Sequence, residues 1–517
     1  MKRRSFLRNA SVLSLPLMLG GSKLAALAQP RLAAAVNDDD RILVLLQLNG
    51  GNDGLNTLIP LDQYSGLAAT RSNLLIPESS VLAVSDTAGF HPAMTGVREL
   101  YDAGKVSVIQ GVGYAGQNRS HFRSTDIWNT GSASDTVETQ GWLGRHLDVR
   151  FPGYPNAYPT VDNPDPFAIV MGTAVSETCQ GSAANFSIAL NDIDNVGQLP
   201  NFGGTENDGT PYGDELAWLR QTIEQSNQYA AGIQDAAGAG SNLATYPEDN
   251  ELAARLRDVA RLISGGLTTK IYIVELGGFD THANQTVEND PTAGEHAVLL
   301  RTLSDAVAAF QADLAALGLE ERVLGMTYSE FGRRIRSNAS QGTDHGDAAP
   351  LFLFGGCVSG GITGENPEID PAVGIDEGVP YQYDFRNVYG SVLMDWFGVE
   401  DATVRNLLLD EFEYVPVLAA CRTTSATDFS PLRSAALTVA PNPSRGQFTV
   451  GFRSDAERVR VVLFDGMGRQ VRTLTDRTLA AGDHRLTVNT SGLPAGAYFV
   501  HLTMAGGVRA TRRVVVE

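Results

Sequence analysis

The chain has 517 residues, with 59 Asp/Glu against 39 Lys/Arg and a formal net charge of −20. The first 28 residues hold five of the basic side chains and no acid, and residues 436–517 hold eleven arginines and six acids, so the middle carries 23 basic and 53 acidic groups, a net −30. Such a field repels nucleic acid and excludes that partner class; it attracts cations and opposes anionic substrates at long range.

The N-terminus reads as an address. Lys2-Arg3-Arg4-Ser5-Phe6-Leu7-Arg8 is a twin-arginine signature, an apolar run covers residues 12–19, and Ala26-Leu27-Ala28 offers a small-residue cleavage site. The run is shorter than the roughly 20 residues a membrane helix needs. Residues 1–28 are therefore expected to be a twin-arginine signal peptide, with export to the periplasm and no stable membrane span after processing.

Residues 29–421 are expected to form one α/β domain. Apolar runs at 42–48, 106–110, 271–276, 323–328 and 351–354 are rich in Val, Ile and Leu and lack strict alternation, as buried parallel strands do. Helical periodicity appears at 91–101, 251–263, 295–317 and 388–397, and the unit strand 271–276, helix, strand 323–328 is a βαβ crossover. Residues 131–246 are rich in Gly, Asn, Asp and Pro around one helix at 214–233. They read as a loop-heavy insertion, a lid or subdomain over the strand ends. Residues 422–436 read as a linker. From residue 437 short alternating strands separated by turn residues predict a second, all-β unit of sandwich type at 437–517. Cys179, Cys357 and Cys421 have no metal-ligand or redox spacing; one disulfide with one thiol left over is expected.

Most of five polar clusters sit where an apolar run ends, with the one at 343–346 before the run at 351–354, and ligands of open α/β sheets bind beyond the carboxyl ends of strands. Asp53 follows the first strand through Gly50 and Gly51, where a carboxylate could reach an ion. Asp280 and His282 are two residues apart, so in extended chain they share a side and could bind one divalent ion. Glu330 leaves another strand, with Arg333 or Arg334 able to fork onto an anion. In Asp344-His345, His345 is the favoured ligand, with Asp344 beside it or orienting it. Ser120 precedes a helix, where the local potential favours an alkoxide, and His121 and Arg123 are further candidates. Each cluster has a structural alternative: a turn at Asp53, a salt bridge at Glu330, a helix cap at Ser120.

Taken in order, Leu48-Asn49-Gly50-Gly51-Asn52-Asp53-Gly54, Ser120-His121-Phe122, Gly278-Phe279-Asp280-Thr281-His282, Ser329-Glu330-Phe331-Gly332-Arg333 and Gly342-Thr343-Asp344-His345-Gly346 resemble the exported bacterial family known as domain of unknown function 1501. That family is similar to the alkaline phosphatase and sulfatase superfamily. The resemblance implies a doubly wound, mostly parallel α/β sheet and one or two divalent ions (zinc, manganese, calcium or magnesium) at its rim. Asp53, Asp280, His282, Glu330, Asp344 and His345 would be metal ligands, Ser120 would lie near the nucleophile position, and Arg123 or Arg333 would steady the equatorial oxygens. Phe331 departs from the superfamily, which has histidine there. The implied activity is hydrolysis of phosphate or sulfate esters of small molecules or glycans. The alternative is a non-catalytic surface protein that keeps the fold, and a GDSL-like serine esterase comes last because no Gly-Asp-Ser block precedes Asp53. In the tail, Ala440-Pro441-Asn442-Pro443-Ser444-Arg445-Gly446, Phe464-Asp465-Gly466-Met467-Gly468-Arg469 and Leu493-Pro494-Ala495-Gly496-Ala497-Tyr498-Phe499 resemble the immunoglobulin-like type IX secretion sorting domain of Bacteroidetes. That implies the type IX machinery as a partner and delivery to the cell surface or medium.

Overall fold

The computed structural model describes residues 40–197, 200, 210–419, 438–442, 444–454, 458–465, 470–494, 496–504 and 509–516. The expected signal peptide and linker lie outside the described residues. The chain divides into two compact units, Met1–Thr423 and Thr424–Glu517.

The first unit is built on a nine-stranded sheet. Its strands are β1 (Ile42–Asn49), β2 (Val106–Gly113), β3 (Ala168–Met171), β4 (Ser187–Leu190), β5 (Ile271–Gly277), β6 (Val323–Tyr328), β7 (Ala349–Phe354), β8 (Gly361–Thr363) and β9 (Tyr383–Asp384). The order is β8-β2-β7-β6-β1-β5-β3-β4, with β9 also beside β2. Every pairing is parallel except those of β7, which runs against both β2 and β6. The sheet is therefore mixed, and residues 351–354, expected as a parallel strand, form the reversed one. An apolar run carries no direction, so that reversal was not readable from composition.

Alternation along β1 shows why both faces are covered. Val44, Leu46 and Leu48 pack into one core with α5 (Glu251–Ser264) and α6 (Glu295–Ala316). Leu43 and Leu45 pack into a second core, with residues of α2 (His121–Thr130), α3 (Trp142–Arg150) and α7 (Phe385–Phe397). The other long helices are α1 (Thr95–Asp102) and α4 (Pro211–Ala239). The expected helix at 91–101 starts late: His91 and Pro92 stand before it in a turn, with the His91 Nδ1 accepting from the Ala93 N–H at 3.1 Å. The region 131–246 is more than a loop-heavy insertion. It supplies α3, α4 and the two parallel strands at one side of the sheet, β3 and the edge strand β4, whose four residues each are too short to stand out among Gly and Asn. Cys357 is disulfide-bonded and Cys179 is a free buried thiol.

The second unit is all-β. Strands Thr438–Ala440, Gln447–Ser454 and Gly482–Asn489 form one antiparallel sheet; Gln470–Thr478, Arg458–Asp465, Gly496–Met504 and Arg509–Val516 form another. Phe448, Val450 and Val488 of the first sheet meet Val461, Leu463, Val500 and Val514 of the second in one core.

Candidate metal centre

The direction of the strands explains why distant motifs meet. The segments after β1, β2, β5 and β6 leave at one rim of the sheet. β7 runs the opposite way, so the residues just before it, Thr343 to Gly346, arrive at that same rim. Two glycines let the backbones close there. Gly50 (φ +123°) packs so tightly that a Cβ would sit 2.3 Å from the Asp280 nitrogen, and a Cβ on Gly51 (φ +81°) would sit 2.3 Å from the Phe331 ring.

Three imidazoles and one carboxylate converge. His282 Nε2 lies 2.9 Å from His345 Nε2 and 3.0 Å from Asp280 Oδ1. His345 Nε2 is 3.1 Å from Asp280 Oδ1, and His121 Nε2 is 3.4 Å from Asp280 Oδ2. One ligand atom each from His121, Asp280 and His345 lies within 4.8 Å of the other two. The opposite ring nitrogens fix the tautomers. His121 Nδ1 meets Glu330 Oε1 at 2.8 Å, His282 Nδ1 meets Asp344 Oδ1 at 2.9 Å, and His345 Nδ1 meets the Arg119 carbonyl at 2.7 Å. Carboxylates and carbonyls accept, so each Nδ1 carries a proton, and in its neutral form each ring presents its Nε2 lone pair inward. Two such lone pairs facing at 2.9 Å repel unless a cation or proton stands between them. The buried His121 Nε2 has no hydrogen-bond partner among the described residues. An oriented set of three nitrogens and one carboxylate fits a divalent ion of the zinc, manganese or iron kind; calcium and magnesium prefer oxygen.

Electrostatics favour the ligating forms. Burial pushes Asp280 up, but the hydrogen bond and charge of Arg333, with His345 and His282, outweigh it and hold its carboxyl at about 2. Burial pushes His345 below the usual imidazole range, against the Arg119 carbonyl and Asp280, which raise it. Asp344 also ends below the carboxylate range, because the His282 and Asn338 hydrogen bonds and Arg334 overcome its burial.

Asp280, His282 and His345 thus meet, and Asp344 and Glu330 stand behind them, each hydrogen-bonded to an imidazole Nδ1. Glu330 is fully buried and also accepts from the Gly50 N–H at 2.9 Å. Asp53 is turned elsewhere. Its two oxygens accept from Arg71 Nη1 at 2.9 Å, Oδ2 also accepts from Gln285 Nε2 at 2.5 Å, and both Asp53 and Arg71 are sealed from solvent. Burial pushes Asp53 up, and Arg71, His296 and Gln285 bring it below the usual carboxylate range. Its charge is met by a guanidinium, so the residues present do not fit a second ion there.

The two arginines expected to hold an anion are otherwise engaged. Arg333 is buried and donates to the carbonyls of Gly50, Gly51, Phe279 and Thr343 and to Asp280 Oδ1 at 2.7 Å. Arg123 pairs with Asp126 and ties α2 to the carbonyls of Ala133, Ser134 and Thr136. Ser120 is the exposed residue ahead of α2, next to His121, and its side chain makes no capping bond. His121, a site candidate without an assigned role in the sequence, is the third imidazole of the cluster. The signal was an imidazole at the start of the helix after β2, but its orientation depends on Glu330, which is remote in sequence. Phe331 binds no metal; its ring packs 4.9 Å from that of His121 and 4.6 Å from that of His345, under two ligands.

Comparison with known proteins agrees with the two units. Residues 233–380 match the family described as "Protein of unknown function (DUF1501)", and residues 438–517 match the "Secretion system C-terminal sorting domain". No curated protein matches the sequence. Among solved structures, a protein of the alkaline phosphatase superfamily from Vibrio parahaemolyticus is 10% identical over 86% of this chain and 82% of its own, with a TM-score of 0.30. The PsFucS1 sulfatase from Pseudoalteromonas sp. is 11% identical over 87% and 84%, with a TM-score of 0.33. PorZ, a surface component of the type IX secretion system of Porphyromonas gingivalis, is 21% identical over 17% of this chain and 12% of its own, with a TM-score of 0.13. These likenesses assign no activity. Among the described residues no helix is long and apolar enough to cross a membrane.

Proposed function

We propose that this chain is an exported, metal-dependent hydrolase of phosphate or sulfate esters, with one divalent ion held by His121, Asp280, His282 and His345. The observation that carries the reading is the orientation of three imidazoles, each fixed through Nδ1 so that its Nε2 faces Asp280. Bound there, such an ion supplies Lewis acidity toward an ester oxygen and lowers the pKa of a nucleophile.

The chain's own residues do the rest. Asp280 and His282, each nearly half exposed, leave an open side for substrate. Ser120, next to His121 and ahead of a ten-residue helix, is the nucleophile this reading favours; the helix dipole supports negative charge on its oxygen. Arg333 neutralises Asp280 from below and fixes the loop carbonyls, so its role is positioning. The sorting tail supports delivery to the cell surface or medium, and the twin-arginine route to the periplasm belongs to the same proposal.

One observation favours the alternative of a non-catalytic surface protein: Arg123 and Arg333 spend their donors on internal acceptors, leaving neither fork for a transferred anion. Elemental analysis of tag-free protein purified without chelator, followed by turnover of aryl phosphates and aryl sulfates, separates the two. The hydrolase reading expects bound metal and turnover lost in Ser120→Ala. Bound metal with no turnover of any ester selects the binding protein, and absence of metal removes both the site and the reaction.

A further inference from the structure

The loops that carry Asp280, His282 and His345 also wall an open cavity of about 970 Å³, whose lining holds none of those three side chains. Gly278 precedes Asp280 by two residues, Asn284 follows His282 by two, and Ser340 and Gln341 lead into Asp344 and His345. The walls are tied together: the Asn284 N–H donates to the Ser340 carbonyl at 3.2 Å, and the Gln285 N–H donates to the Gln341 carbonyl at 3.0 Å. Among the described residues the non-glycine positions with positive φ are Asn284 (55°), Asn289 (66°) and Gln341 (56°). Two line this cavity and the third lies in the loop beside it. Such conformations persist where surrounding structure over-determines them, and they gather at ligand clamps.

Its chemistry is selective. Val287 and Val298 stand exposed on the walls, interleaved with the amides and hydroxyls of Asn284, Thr286, Ser340 and Gln341. The charged side chains of the lining are Glu288 and Glu295, and no lysine or arginine is among it. The start of α6 offers little to an anion either. The Glu295 and His296 N–H groups already donate to the Asn284 and Gln285 carbonyls, and Glu295 adds a carboxylate in the first turn.

We propose that this cavity seats the alcohol portion of the ester, and that it selects a neutral, hydroxylated ring over an anionic one. The inference rests on the hydrolase reading only for the word ester; the site for a neutral polyol stands on the lining itself. Apolar patches meet ring faces, amides and hydroxyls meet ring hydroxyls, and the two carboxylates repel a further negative charge.

The test uses the full, metal-loaded chain and two uncleavable probes, 4-nitrophenyl glucoside and 4-nitrophenyl glucuronide, which differ by one carboxylate. Titration calorimetry is expected to show the glucoside bound about tenfold more tightly, the scale of one screened charge contact. Glu288→Lys narrows that ratio. Val298→Trp, at an exposed helix position, abolishes glucoside binding with metal content unchanged. Equal binding of the two probes, no binding of the glucoside, or wild-type binding by Val298→Trp each overturns the assignment. Ester turnover is read separately. Glucoside selectivity without turnover leaves the cavity site and removes the hydrolase, whereas turnover without selectivity removes the cavity site alone.

Discussion

Replacing Arg71 by methionine strands the Asp53 carboxylate in a space closed to water. Arg71 and Asp53 are 0% and 1% exposed, and the guanidinium also donates to the Ile335 and Arg334 carbonyls and to Asn56. Breaking one partner of a buried pair costs about 3–5 kcal/mol, since the remaining charge is uncompensated. Asp53→Asn leaves the guanidinium facing an amide and is expected to cost about 3 kcal/mol by the same argument. The double variant Arg71→Met/Asp53→Asn removes both charges and is expected to recover about 2 kcal/mol of the summed loss, the signature of direct coupling. Urea unfolding followed by tryptophan fluorescence reads this, because Trp128, Trp142 and Trp396 are buried in the first unit. Metal content decides the role. If Asp53 is a counter-ion, folded Asp53→Asn retains the ion content of the wild type. Wild-type stability combined with lost metal in that variant would refute the assignment and make Asp53 a ligand.

The remaining predictions address the cluster and the cores. His345→Ala or Asp280→Asn removes stable metal binding in elemental analysis, whereas Glu330→Gln and Asp344→Asn, one layer out, weaken affinity by roughly 10–100-fold in chelator competition. Gly51→Ala forces a Cβ into the Phe331 ring at a strained backbone angle and is expected to cost about 2 kcal/mol in urea unfolding. It also weakens metal binding, because that ring lies under two ligands. His146 is buried beside Phe397; burial, with Arg150, pushes it down to about 4. The unfolded chain takes that proton first, so this contribution to stability is full above about pH 6.5 and is lost progressively as pH falls toward 4. At pH 5 the loss relative to neutral pH is about 2 kcal/mol, and His146→Phe flattens the pH dependence of unfolding by that amount.

Much of the sheet was readable because stretches such as 42–46 and 271–274 are unbroken runs of mostly apolar residues without polar alternation, as a sheet covered on both faces requires. Helices α5 and α6 were readable from their apolar stripes. The short strands β3 and β4 were not, since four residues give too little periodicity to separate strand from loop. Within the site, Asp280, His282 and His345 announced themselves by position after or before apolar runs. Asp53 has the same local signature but a different fate, because Arg71 folds back over it from a helix end 18 residues later. Sequence spacing shows which groups can reach a rim; it does not show which cation meets them there. Glu330 and Asp344 illustrate the converse. Their chemistry suits a ligand, yet each meets an imidazole Nδ1, and that depends on backbone direction rather than residue type.

The reversed strand β7 is the device that makes the centre possible. Were it parallel to its neighbours, residues 343–346 would enter at the opposite rim, a strand length from Asp280. Running antiparallel, it delivers His345 to the rim where β5 delivers Asp280 and His282 and where β2 leads to His121. Arg333 then closes the arrangement from beneath. Its five acceptors come from the segments after β1 and β5 and from the far end of the β6–β7 connection that carries Arg333 itself, so one buried guanidinium joins three loops. A cation buried for that purpose needs a nearby anion, and Asp280 supplies it with Oδ1 while keeping Oδ2 toward His121. The same carboxylate therefore belongs to the scaffold and to the proposed ion at once. Asp280→Asn is expected to weaken both functions, whereas the Nδ1 partners Glu330 and Asp344 touch the proposed ion through an imidazole and hold the loops through Gly50, Arg334 and Asn338.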